Sequence, residues 1–213
     1  RKLRLRNITG AIRTIKQNNA LGGACGVLCP THKLCERQCS ATGISRPIEI
    51  GAIQRFLVEQ GWRMGFRALQ KPVEGRREKV AVVGSGPAGL SCAAELARRG
   101  FQVTVFESRP EIGGVIRYGV PPYRFDRQFL AAELRELEAL GIRFQVATRV
   151  DGLEGAKKLT KQGFQAVYLA PGLWSAQRLS PSEAAAAPRG VLSTVEYLAG
   201  LRDERFGELA KSI

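Results

Sequence analysis

Apolar residues in the first third of this chain recur at the spacing of helices. One predicted helix carries its apolar stripe at Ile8, Ala11, Ile12 and Ile15, and Asn18-Asn19 ends it. A second carries its stripe at Ile50, Ile53, Phe56, Leu57 and Met64. A loop rich in cysteine is expected between the two helices. The charged, turn-rich run Lys71–Lys79 then predicts a linker, which places a helical domain at residues 1–74 and a second domain at 75–213.

The pattern changes after the linker to short β-branched runs that alternate with helical stretches. Val80–Val83 and Gln102–Phe106 predict strands, and a helix is expected between them from Pro87 to about Arg99. The remaining predictions are a helix over Phe125–Leu140, strands at Ile142–Val146 and Phe164–Leu169, a sharp turn at Ala170–Gly172, a connecting segment at Leu179–Arg189 and a last helix at Val195–Leu201. Strands that alternate with helices predict an α/β domain with a parallel sheet.

The turn between the first strand and its helix has the sequence Gly84-Ser85-Gly86-Pro87-Ala88-Gly89. Glycine at the first position permits a tight turn, the second lets the backbone approach a pyrophosphate, and the third lets the helix pack closely on the strand. Glu107 ends the second strand, 23 residues after the first glycine, where an acid accepts hydrogen bonds from ribose hydroxyls. This unit therefore predicts a Rossmann-like dinucleotide site.

A second glycine pair favours FAD as the dinucleotide. Ser108 follows the acid, and Gly113-Gly114 comes six residues after Glu107. Paired glycines allow another close approach of the backbone to the same pyrophosphate. A domain that binds only NAD does not need this second approach of the backbone.

Four of the five cysteines fall within fifteen residues, as Cys25, Cys29, Cys35 and Cys39. Such a cluster in a chain with no secretory leader favours metal binding over a disulfide framework. The spacing C-x3-C-x5-C-x3-C is neither that of common zinc sites nor that of bacterial ferredoxins. From spacing alone the metal stays open, and a closed four-thiolate zinc site is one alternative.

The net charge of +14 is concentrated in the first third of the chain. Residues 1–79 hold 16 basic and 5 acidic side chains, whereas residues 80–213 hold 17 and 14. Basic residues are scattered and aromatic residues make up only 7%, so we expect no nucleic-acid partner. The charge instead fits anionic cofactors or an acidic electron-transfer partner.

Four strings together resemble a known family: CGVLCPTHKLCERQC, PIEIGAIQRF, the stretch from Val80 to Glu107, and IGGVIRYGVPPYRFD. They resemble the glutamate synthase small subunit and the N-terminal part of dihydropyrimidine dehydrogenase. The resemblance implies a helical domain with two [4Fe–4S] clusters, followed by Rossmann-like FAD and NADPH domains. It implies an oxidoreductase that passes electrons from NAD(P)H through FAD to the clusters and a partner.

The resemblance also implies roles for individual residues. Cys29 and Cys35 match ligands of one cluster, Gln54 matches its non-cysteine ligand, and Cys39 matches a ligand of the other cluster. Cys25 matches a position that is not expected to be a ligand. The matched FAD-binding positions are Gly84, Ser85, Gly86, Pro87, Ala88, Gly89, Glu107, Ser108, Gly113, Gly114, Arg124 and Val150.

Two departures from the family shape our expectations. The upstream cysteine motif is absent from this chain, and so is the NADPH domain, so we expect a truncated piece or a partner chain that supplies the rest. We therefore expect a cytoplasmic electron-transfer module that acts within a hetero-oligomer or longer chain, is not active alone, and has no catalytic side chain of its own. The alternatives are a non-catalytic FAD-binding subunit of a larger redox complex and a four-cysteine zinc module fused to a dinucleotide-binding domain.

Overall fold

Three helices form the N-terminal part of the chain in the computed structural model, which describes residues 1–72, 74–175 and 192–203. They are α1 (Ile8–Asn18), α2 (Gly22–Leu28) and α3 (Ile50–Arg63). The Asn7 side chain caps α1 by accepting a hydrogen bond from the Gly10 amide. α1 and α3 confirm the two predicted helices. The expectation of a loop through the cysteines was wrong in part, because α2 contains Cys25 and ends just before Cys29.

A four-stranded parallel sheet forms the second part. Its strands are β1 (Lys79–Val83), β2 (Gln102–Phe106), β3 (Arg143–Gln145) and β4 (Ala166–Leu169), in the spatial order β3-β2-β1-β4. The register pairs Val82 with Val105 on one side and with Tyr168 on the other. These parallel strands confirm the predicted α/β class.

α4 (Pro87–Arg98) and α6 (Arg127–Glu138) cover one face of the sheet, and α7 (Gly152–Lys161) covers the other. Two further helices, α5 (Gly114–Tyr118) and α8 (Thr194–Arg202), contact each other. α4, α6 and α8 confirm predicted helices, whereas α5 and α7 were not predicted from the sequence. The connecting segment predicted at Leu179–Arg189 lies outside the described residues.

The largest core joins the two parts of the chain. On one face of the sheet, Val82 and Val105 pack with Leu90 of α4 and Leu137 of α6, and all four are buried. Leu21, which lies just before α2, and Ala24, which lies within it, are part of this same core. The other face packs Ala81, Val83 and Phe106 against Leu159 of α7. The α2 segment is therefore held by the Rossmann-like part as well as by its own helices.

None of the helices in the described ranges is both long and apolar enough to cross a membrane.

Candidate functional site

The phosphate loop between β1 and α4 is bare backbone on its open side. Gly84 has φ +100, and a β-carbon there would overlap the Ala170 carbonyl oxygen. A β-carbon at Gly89 would overlap the Gly84 carbonyl oxygen. Gly86 differs from both, because a β-carbon there would meet no protein atom within 4 Å. Two of the glycines are thus required by packing, and the third faces open space at the N-terminus of α4.

Glu107 is buried and organises this loop. Its Oε2 accepts hydrogen bonds from the Ser85 amide at 3.0 Å and the Ser85 hydroxyl at 2.5 Å. Its Oε1 accepts from the Arg109 amide at 2.8 Å and the Ser108 hydroxyl at 3.2 Å. A carboxylate offers about four lone-pair positions, and all of them are in use. The predicted ribose contact would therefore have to replace one of these donors.

The second glycine pair lies directly against the phosphate loop. The Gly113 amide donates to the Ser85 hydroxyl at 3.1 Å, and a β-carbon at Gly114 would lie 2.6 Å from Gly86 Cα. Both glycines have positive φ, at 127° and 52°. Two segments of bare backbone therefore meet at Gly86, as the sequence analysis expected for a pyrophosphate site.

The other predicted nucleotide-binding residues lie around this loop. Pro87 and Ala88 are exposed in the first turn of α4. Arg124 is exposed, and its amide donates to the Pro121 carbonyl at 2.9 Å. Val150 is half-buried and packs against the core on the α7 face of the sheet. Their contacts to a cofactor remain predictions.

Cys25, Cys29 and Gln54 come together where α2 ends beside α3. The Asn19 side-chain amide donates to Gln54 Oε1 at 3.3 Å, and the Cys25 thiol lies beside Asn19, Cys29 and Gln54. Burial raises the pKa of the Cys25 thiol above its ordinary value, and the adjacent Cys29 raises it further. The structure thus brings together two residues matched to the same cluster, Cys29 and Gln54.

Cys35 and Cys39 lie in the irregular segment that follows. Cys35 is exposed, and the half-buried Cys39 accepts a hydrogen bond from the Ile48 amide at 3.5 Å. Across residues 1–72, 74–175 and 192–203, no three His, Cys, Asp or Glu side chains are grouped so that they could hold a metal ion. The four predicted ligands offer three thiol groups and an amide oxygen, and thiolate donors suit iron–sulfur clusters. The donor chemistry fits, and the ligand assignment stays a prediction.

Glu36 and Asn19 were not singled out as site residues from the sequence. Glu36 Oε1 accepts a hydrogen bond from the Gly51 amide at 3.0 Å, in the first turn of α3 and three residues before Gln54. Asn19 was recognised only as a helix stop, although it also contacts Gln54. Cap signals in a sequence are local, whereas these partners lie 15 and 35 residues away, so no local pattern indicates them.

Comparison with known proteins identifies both parts of the chain. Residues 1–66 match the family model "Dihydroprymidine dehydrogenase domain II, 4Fe-4S cluster", and residues 82–132 match "NAD(P)-binding Rossmann-like domain". The chain is 36% identical over 173 residues to the NAD-dependent dihydropyrimidine dehydrogenase subunit PreT of Salmonella typhimurium, covering 81% of this chain and 41% of PreT. It is 33% identical over 162 residues to the glutamate synthase [NADPH] small chain of Escherichia coli, covering 76% and 34%.

A solved structure has a similar fold over part of this chain. FprA from Mycobacterium tuberculosis in complex with NADPH has a TM-score of 0.50 and 25% identity, over 59% of this chain and 29% of FprA. The chain spans about four tenths of the PreT length. These findings confirm the predicted family resemblance and the predicted order of a helical iron–sulfur domain followed by a Rossmann-like domain.

Proposed function

We propose that this chain, a member of the oxidoreductases that join this iron–sulfur domain to a Rossmann-like nucleotide-binding domain, binds FAD at the phosphate loop and passes electrons between FAD and [4Fe–4S] clusters. The observation that carries the proposal is the bare backbone at Gly86. It faces open space on one side and the Gly113-Gly114 backbone on the other. Such a surface suits a pyrophosphate, which needs close backbone amides rather than side chains.

FAD is preferred over NAD because two glycine segments meet at the pyrophosphate position. The first-turn amides of α4 and the positive end of its dipole would hold phosphate charge. Of the four donors on Glu107, the exposed Ser108 hydroxyl makes the longest bond, at 3.2 Å. A ribose hydroxyl would take the place of Ser108 on Oε1, while Ser85 keeps Oε2 and the loop keeps its shape. Arg124 and Val150 would contact the flavin and adenine ends.

The stretch from Cys25 to Cys39 is called the cysteine segment below. Its Cys29 and Cys35, together with Gln54 of α3, would hold one cluster, and Cys39 would hold the other. The remaining ligands would come from sequence outside residues 1–213 or from a partner chain. FAD exchanges electrons in pairs or singly and iron–sulfur clusters carry single electrons, so together they convert pair transfer into single transfer. The residues of this chain bind the cofactors and set their separation.

Electrons would enter from NAD(P)H through a second nucleotide-binding domain, supplied by a longer chain or by a partner. PreT is named as a dihydropyrimidine dehydrogenase subunit and the glutamate synthase relative as a small chain. By analogy this chain would work in the cytoplasm as part of a larger redox assembly, and its basic N-terminal third would favour an acidic acceptor protein.

Nucleotide titration tests the central part of this proposal. Purified protein, freed of bound nucleotide, is titrated with FAD, NADH and NADPH while the quenching of flavin or tryptophan fluorescence is followed. We expect FAD to bind at least about tenfold more tightly than either nicotinamide nucleotide, because only FAD uses both glycine segments. Equal or tighter binding of NADH or NADPH would overturn the FAD assignment.

A further inference from the structure

A fully buried lysine joins the helical domain to the Rossmann-like part. Lys16, near the end of α1, is 1% exposed, and Glu133 on α6 is 0% exposed. Lys16 Nζ donates to Glu133 Oε1 and to the Ala20 carbonyl, each at 2.9 Å. It also lies 2.9 Å from Glu136 Oε2, at an angle that does not make an aligned hydrogen bond. One cation therefore faces two carboxylates of the same α6 surface.

The same carboxylates hold the other two N-terminal helices. Glu133 accepts hydrogen bonds from the Gly23 amide at 2.8 Å and the Ala24 amide at 2.7 Å, in the first turn of α2. No side chain within its own segment caps α2. Glu136 Oε1 accepts from the Trp62 indole of α3 at 2.6 Å. Two glutamates on α6 thus contact α1, α2 and α3, and we name the set Lys16, Glu133 and Glu136 the α6 clamp.

A gain in stability does not by itself explain why the α6 clamp consists of charged side chains. Burying charges costs several kcal/mol per ion, about as much as the pairing returns, and apolar replacements of such networks are often as stable. What an apolar contact cannot supply is direction, because amide and ammonium donors fix the angle and register of the groups that meet. The first turn of α2 also has no room to slide along α6, since a β-carbon at Gly23 would lie 2.6 Å from the Phe129 side chain.

Resting on the proposed function, we propose that the α6 clamp sets the position of the cysteine segment relative to the nucleotide site. Glu133 fixes the first turn of α2, and Cys29 follows that turn by five residues at the other end of the same short helix. α6 itself is anchored in the main core beside α4, which begins at the phosphate loop. Glu133 is a positioning residue, because it acts through α2 and does not touch a cofactor.

Hydrogen exchange tests the α6 clamp without any cofactor. Glu133→Gln keeps the size of the side chain but replaces one acceptor oxygen with a donor that faces backbone amides. We expect exchange in α2, measured at Gly23 and Ala24, to rise by about tenfold relative to interior amides of α4. The matched control is Leu137→Ala, a buried apolar truncation one turn later on α6, which should raise exchange throughout the core. The same uniform rise in Glu133→Gln, or no rise, would overturn the proposal.

A second variant covers the case in which Glu133→Gln does not fold. Lys16→Met combined with Glu133→Gln removes opposite charges together and leaves Glu136, which is 18% exposed, to hydration and Trp62. We expect the same selective rise in amide hydrogen exchange at Gly23 and Ala24 of α2.

The positioning role has its own readout in the cofactor-loaded protein. After photoreduction of the flavin, Glu133→Gln should slow electron transfer to the clusters several-fold, whereas Leu137→Ala should leave that rate unchanged at the same folded fraction. Selective exchange in α2 with an unchanged transfer rate would reduce the α6 clamp to a structural contact and overturn the positioning role. Absence of flavin or iron would instead refute the proposed function, while the exchange result would still stand.

Discussion

Alanine at two glycines of the phosphate loop separates nucleotide binding from folding. Gly86 has φ −71 and ψ 177, which any residue adopts, and a β-carbon there would meet no protein atom within 4 Å. Gly86→Ala should therefore change the free energy of unfolding by less than about 1 kcal/mol, the scale of a substitution at a helix N-cap. The added methyl group would stand where the pyrophosphate must approach, so FAD affinity should fall by about a hundredfold or more.

Gly89→Ala should behave in the opposite way. Its β-carbon would overlap the Gly84 carbonyl oxygen, so α4 must move away from β1 or the loop must change shape. Overpacking of this kind costs about 3 kcal/mol, and the gain in helix propensity from alanine returns only about 1 kcal/mol. We expect a net loss of about 2 kcal/mol or more in unfolding free energy, together with weaker binding.

The two variants are compared by urea unfolding of the nucleotide-free protein and by FAD titration. Wild-type FAD affinity in Gly86→Ala would refute the assignment of this surface to the pyrophosphate. Equal destabilisation by both substitutions would refute the packing argument, because it would mean that Gly86 also has no room for a side chain.

Three further predictions concern the loop, the cysteines and pH. Ser85→Ala should lower the unfolding free energy by about 2 kcal/mol, since it removes a buried charge-assisted hydrogen bond; a change below about 0.5 kcal/mol in urea unfolding would contradict this. In protein that has the remaining cluster ligands, Cys35→Ser should lower bound iron by about four atoms per chain, whereas Cys92→Ser, a control on α4 that packs against the core, should retain it; equal iron contents would count against the ligand assignment. Burial raises the pKa of Tyr118 above its ordinary value of 10.0, so the folded state favours the protonated form and stability should fall as pH rises past that value. Tyr118→Phe should make this fall in stability smaller, and an unchanged profile would disprove the contribution of Tyr118.

The nucleotide half of the fold could be predicted closely because its signals are local. The predicted strand at Gln102–Phe106 has the bounds of β2, and the helix predicted from Pro87 ends within one residue of α4. Glycine fixes the turn at one end of α4, and Gly100, with φ +92, ends it at the other. Short runs of β-branched residues and the period of 3.6 residues then indicate the element type without help from the rest of the chain.

The parts that were missed depend on distant partners. α2 begins Gly22-Gly23, a sequence typical of a loop, and it is helical with a cap from Glu133, 110 residues later. Lys16 is polar and looks solvent-exposed in the sequence, yet it is 1% exposed because two carboxylates on α6 surround it. Residue type and spacing carry no information about such pairs. The cluster ligands likewise came from family resemblance, since cysteine spacing left zinc and iron both open.

An absorption spectrum of anaerobically purified protein, with iron, sulfide and zinc assayed on the same sample, tests the central claim most directly. We expect a flavin band at about 450 nm over a broad iron–sulfur shoulder at about 400 nm, with iron and sulfide in equal amounts. A colourless protein that contains zinc would contradict it and favour the four-thiolate alternative.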